Sequence, residues 1–184
     1  MSKSDSYKNI ILCEFENKAM GYNALNTLFK TKTTHFIICS TLLYFKKIKV
    51  QILKKKKRGV NVVKNMYENI DAYLYTRKRN MIFSLLDDEY TLFIVCIILS
   101  TKNYLDTVYT NISWSDISNI SLEKLNRAER LVLEAIEYNV FVSKAEMDAV
   151  LRSVEMQQNN VVCKNKNEGF KKMMAGIKTF SCLE

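Results

Sequence analysis

Residues 87–102 read DDEYTLFIVCIILSTK, and this stretch decides the fold. From Leu92 to Leu99 every residue is apolar, so the run has no wet face and has to be buried on all sides. The acids Asp87, Asp88 and Glu89 before it suit a helix N-terminus, and Lys102 after it places a cation where the helix dipole favours one. A membrane span needs about 20 apolar residues, roughly double what stands here. The expectation is a central helix over Tyr90–Lys102, capped by Asp87 and Asp88 and wrapped by other helices.

Composition points the same way. The 184 residues contain no proline and only four glycines, at positions 21, 59, 169 and 176. Sandwiches and barrels need frequent turns built on those residues, and neither GxGxxG nor GxxxxGK[ST] can be assembled, so Rossmann and P-loop readings fall away. A chain 48% hydrophobic and 26% charged has the make-up of a globular all-α protein.

Working outward, Phe15, Ala19, Tyr22, Leu25 and Leu28 recur at helical spacing and predict one helix in the first 30 residues. Thr33 or Thr34 can cap a second helix over His35–Lys49. On the other side of the central run, Asn111–Asn119 reads as a short element anchored by Trp114. Ser121 is an N-cap for a stripe running from Leu122 to about Asn139, and Ser143 with Glu146 is a capping box opening Lys144–Glu155. The tail from Gln157 is polar, with Phe170, Met173, Met174 and Phe180 as docking points.

Five cysteines, odd in number and without a CxxC pair, indicate neither a disulfide framework nor a zinc site, and a reducing, intracellular compartment is the default. No secretory signal or lipidation box is read, and no metal or cofactor is expected. His35 is the sole histidine, which leaves nucleophilic chemistry of the Ser-His kind with one poor candidate. The charge is +9, and its excess is concentrated between Lys46 and Arg79, where Glu68 and Asp71 are the only acids. Residues 50–89 therefore read as a basic insertion, partly helical or mobile. Its cluster Lys54, Lys55, Lys56, Lys57 and Arg58 fits a nuclear-import signal, a nucleic-acid patch or a solvated loop. Interleaved aromatics are sparse there, so nucleic acid is not the expected partner.

Four blocks then carry a resemblance. Ile98-Leu99-Ser100-Thr101-Lys102 looks like an apolar helix ending in Ala-Ser-Lys. Asp106, Tyr109, Asn111 and Trp114 match Asp-x-x-Tyr-x-Asn-x-x-Trp. Residues Ile120–Glu129, ISLEKLNRAE, include Asn126 and are close to Ile-Ser-x-x-Glu-[Leu/Met]-Asn-x-Leu-Glu, and Tyr138–Val142 resembles Phe-x-Leu-x-Val. In this order and spacing the chain resembles the cyclin box, most closely the P-type (Pho- and Pcl-like) cyclins. The departures are Asn103-Tyr104-Leu105 ahead of a single Asp106, Asn119 where the family has glycine, and the basic insertion. Asparagine tolerates a left-handed backbone, which makes the second departure mild.

The resemblance implies a single cyclin box, a five-helix bundle over 33–155 with the insertion between its second and third helices. Residues 1–32 would be a leader with a possible first helix, and 156–184 a tail. It implies a regulatory subunit, not an enzyme, whose Lys102 and Glu129 contact the C-helix of a cyclin-dependent protein kinase in the nucleus or cytoplasm. It implies no small-molecule substrate and no membrane. Asp106, Tyr109, Asn111, Trp114 and Asn126 would be structural, with Tyr109 and Trp114 as core anchors. The alternatives from other classes are a cyclin-fold protein of the transcription-factor kind that binds nucleic acid through the insertion, and a scaffold that has lost kinase docking.

Overall fold

A computed structural model describes residues 3–59, 70–154 and 156, with side chains placed over most of that range. The described residues are all-helical: α1 (Lys3–Glu14), α2 (Lys18–Lys30), α3 (His35–Gly59), α4 (Ile70–Asp87), α5 (Glu89–Tyr104), α6 (Asn111–Ser118), α7 (Leu122–Ala135) and α8 over 144–154. The tail positions Phe170, Met173, Met174 and Phe180 lie outside them, as do 60–69 and the side chains of Lys57 and Arg58.

Helix α5 is the axle. Every residue from Thr91 to Thr101 is buried, as an all-round apolar run requires, and α2, α3, α4, α6 and α7 all pack on it. Its longest contact is with α3, whose Cys39, Leu42, Phe45, Ile48 and Ile52 face it at helical spacing. Phe93 of α5, Phe45 of α3 and Phe15 form a cluster with ring centroids 5.1–5.3 Å apart. Burying each such ring is worth roughly 1.5–3 kcal/mol, so these three side chains alone are a sizeable part of the net stability.

The N-terminal segment differs from the expectation of one helix. Phe15 does not sit within a helix. It fills the core at the turn between α1 and α2, and Asn17 caps α2 by accepting from the amides of Ala19 and Met20 at 3.0 and 3.4 Å. Gly21, in the second turn of α2, marks the close approach of the pair: a Cβ there would lie 2.9 Å from Leu12 Cδ2.

Other boundaries move for identifiable reasons. Helix α3 does not stop at Lys49 but runs to Gly59, since nothing between Val50 and Arg58 breaks a helix. Thr34, not Thr33, caps it, with Oγ1 accepting from Ile37 N at 3.4 Å. Most of the described remainder of the basic segment is α4, which buries Leu85 against the core and packs on α3, α5 and α7. Asp87 ends α4 instead of capping α5, and Asp88 alone is the cap. It accepts from Thr91 N at 3.1 Å and Thr91 Oγ1 at 2.7 Å. Burial would push the Asp88 carboxyl up, but the Lys124 ammonium at 2.6 Å and the Thr91 donors outweigh it and hold the group below the usual carboxylate range.

Helix α7 ends at Ala135 rather than near Asn139, because Glu137 and Tyr138 adopt positive φ of 55° and 59°. Asn119 closes α6 in the left-handed region at φ 57° and ψ 28°, a conformation asparagine adopts more readily than most residues. Ser121 caps α7 by accepting from Lys124 N at 3.4 Å. The capping box of α8 is complete: Ser143 N donates to Glu146 Oε2 at 2.8 Å, and Glu146 N donates to Ser143 Oγ at 3.2 Å.

Candidate functional site

The C-terminal turn of α5 and the middle of α7 bring together two residues far apart in sequence. Lys102 Nζ donates to Glu129 Oε1 at 2.6 Å. The other carboxylate oxygen, Oε2, accepts from Asn111 Nδ2 at 2.7 Å, and the same amide nitrogen reaches Asn126 Oδ1 at 2.8 Å. Three helices, α5, α6 and α7, are thereby tied at one polar node.

Helix packing explains why these side chains meet. Leu125, Ala128, Leu131 and Val132 turn one face of α7 into the core, which leaves Asn126 and Glu129 at its margin. Asn111 opens α6 directly after Thr110, whose hydroxyl accepts from Ser113 N at 3.4 Å. The burial of Trp114 beneath fixes the position of that helix.

Burial is uneven across the node. The Glu129 side chain is 13% exposed and that of Lys102 38%. Both carboxylate oxygens are engaged, whereas an ammonium has three donors and only one is spent on Glu129. The free N–H groups of Lys102 are available to carbonyl oxygens of a partner. Asn111 Oδ1 is buried and accepts from no described residue, which adds an unused acceptor at the same place.

The surroundings are apolar and exposed. Leu105 and Val108, between α5 and α6, are 42% and 43% exposed, and Ile112, next to Asn111, is 61% exposed. Phe36 of α3 sits edge-on against Tyr104 at 5.0 Å between centroids and is itself partly exposed. A cleft lined by Thr34, Ile37, Thr101, Leu105, Tyr109 and Trp114 continues from this surface. A polar node with spare donors set in an apolar margin is suited to holding a polypeptide segment by its backbone groups.

The remaining motif residues divide. Trp114 is a core anchor at 1% exposure, but Tyr109 is not: it is 53% exposed and meets Trp114 only by its edge, at 5.9 Å and 88°. The connection before α6 holds Tyr109 outside the helix, so the ring covers Trp114 from the solvent side. Asp106 is exposed in the bend after α5. Lys54, Lys55 and Lys56 lie on the last turns of α3, at the other end of the bundle from Lys102. His35 contacts Tyr7 through Nδ1 and Cys39 Sγ through Nε2 at 3.8 Å.

Tyr44 is a further residue of this region that sequence patterning passed over. Its hydroxyl donates to Val140 O at 2.6 Å and accepts from Asn103 Nδ2 at 3.0 Å, so it ties the segment after α7 to α3 and to the end of α5. Burial, followed by Tyr104, pushes the Tyr44 hydroxyl well above its ordinary range and keeps it a neutral donor. The available signal was a tyrosine inside an apolar helical run, since a buried hydroxyl needs a partner.

Comparison with protein-family models, curated proteins and solved structures finds no match to this chain. Among the described residues, no helix is long and apolar enough to cross a membrane, and no group of three or more His, Cys, Asp or Glu could hold a metal ion.

Proposed function

We propose that the chain is a cyclin-like regulatory subunit, without catalytic chemistry of its own, that binds and activates a cyclin-dependent protein kinase in the nucleus or cytoplasm. The observation that carries the reading is the node itself. Lys102 and Glu129 are the pair that the cyclin resemblance singles out, and they form a 2.6 Å ion pair at a surface margin flanked by exposed apolar side chains.

The mechanism is positional. The spare Lys102 donors take carbonyl oxygens of the kinase C-helix segment, and Glu129 holds the ammonium in place. The apolar margin excludes water and strengthens those bonds. A kinase helix held inward completes its own Lys-Glu ion pair and magnesium site, and the cyclin-like chain raises the active population by binding that state more tightly.

The experiment is an affinity pull-down of the tagged chain from its own cell lysate, wild type beside the Lys102→Ala, Glu129→Ala double variant, with partners identified by mass spectrometry. A protein kinase is expected with the wild type and lost with the variant, for a deficit of about 2–5 kcal/mol. A kinase recovered equally with both, or none with either, would remove the proposal.

A further inference from the structure

The chain's excess positive charge lies almost wholly between Lys46 and Arg79, yet the Lys102 node uses none of it. Lysines at the end of α3 complement the helix dipole, which accounts for the run being tolerated there. Lys46, Lys47 and Lys49 pair with Glu14, Glu146 and Glu89, and two further cations of the segment are spent at the end of α7: Lys55 pairs with Glu137 at 3.2 Å and Lys78 with Glu134 at 2.9 Å. Three exposed ones are left over. Lys54, Lys56 and Arg77 make no hydrogen bond or ion pair with any described residue.

Apolar side chains stand beside them. Val50 and Leu53, three apart on α3 and so on one face, are 48% and 44% exposed, and Leu74 and Tyr75 on α4 are 53% and 62% exposed. Lys55 of α3 and Lys78 of α4 both reach the C-terminal end of α7, so the two sets belong to one end of the bundle. On α3 that end is remote from the node. Thr41 of α3 is level with Ser100 of α5, and Lys49 with Glu89, so the two helices run antiparallel. Lys54 therefore lies about 20 Å along α3 from the level of Ser100.

We propose that this end is a second docking surface, and that its occupant is a polypeptide segment rich in both acidic and apolar residues. Charge complementarity selects an anionic partner, because the unpaired cations gain counter-charge there without breaking an internal ion pair. The aliphatic residues select a polypeptide over nucleic acid. Val50, Leu53 and Leu74 have no counterpart on a phosphate backbone. The surface is independent of the kinase reading, and its distance from Lys102 lets both be occupied together.

The test is fluorescence anisotropy on the full chain with a labelled peptide of Glu and Leu. Its probes for comparison are the Gln and Leu counterpart, poly-glutamate of equal length and single-stranded DNA of equal length. The Glu and Leu peptide is expected to bind best, with affinity falling as salt rises. Lys54→Glu, Lys56→Glu, Arg77→Glu is expected to weaken it by about tenfold or more, while Lys102→Ala leaves it unchanged. Should the triple reversal reduce helicity, the uncharged set Lys54→Gln, Lys56→Gln, Arg77→Gln replaces it, again with weaker binding expected. Equal binding of the Gln peptide or of poly-glutamate, preference for DNA, or undiminished binding by a folded variant would each overturn the proposal.

Discussion

Glu89 shows what a single residue does in this fold. It is 3% exposed, and its Oε2 accepts from the amides of Glu16 and Asn17 at 2.8 and 3.3 Å while its Oε1 takes the Lys49 ammonium. Lys49 also donates to Glu14 O at 3.1 Å. One carboxylate thus fixes the turn between α1 and α2 to the N-terminus of α5. Glu89→Ala leaves two amides and a partly buried ammonium without their acceptor, a change that costs about 3–5 kcal/mol for a buried pair. The expected result in urea denaturation is a large fall in midpoint. Lys46→Ala, which breaks an exposed pair with Glu14, is expected to cost under about 1 kcal/mol. Equal effects of the two would show that Glu89 is not the pin.

The helices themselves divide by the range of the signal that makes them. The caps Asn17, Asp88, Ser121 and Ser143 act over two or three residues, and three of them were legible as Asp, Ser or a capping box before an apolar stripe. The burial of α5 was legible from eight consecutive apolar positions, Leu92–Leu99. The α1–α2 turn was not, because Phe15 continues the helical spacing and the turn after it is held by Glu89, 73 residues from the Glu16 amide it accepts from. Helix α4 was illegible for a related reason. Its apolar residues are many but only weakly periodic, and the run Arg77-Lys78-Arg79 among them suggests a loop, whereas Leu85 decides the packing from within that weak pattern. Leu85→Ala should therefore cost about 2–5 kcal/mol, while Leu74→Ala on the exposed part of α4 should stay within about 0.5 kcal/mol. Chemical denaturation of both variants checks this, and similar small losses would mean that α4 contributes little to the core.

At the scale of the molecule, acid sensitivity follows from which carboxyls the fold favours in the ionised form. Asp88 is held low by Lys124 and Thr91 against its own burial, and Glu146 is held low by the Ser143 amide first, then the Ser143 hydroxyl and Lys47. A carboxyl with a lower value in the folded state binds fewer protons there than in the unfolded chain. Its contribution is fully present above the unfolded value, about 4, and is lost as pH falls through the folded value. Glu146 is the more exposed of the two and its share is screened by solvent, so Asp88 carries most of the effect. The chain already carries +9 at neutral pH, and protonation of its carboxyls adds self-repulsion that steepens the acid limb in any variant. The discriminating comparison is therefore between slopes. Wild type should lose stability steeply below about pH 4, whereas Asp88→Asn, Glu146→Gln should start lower at pH 7 and fall less steeply. Thermal melts across that range measure it, and parallel acid limbs for the two proteins would show that these two caps are not what acid removes.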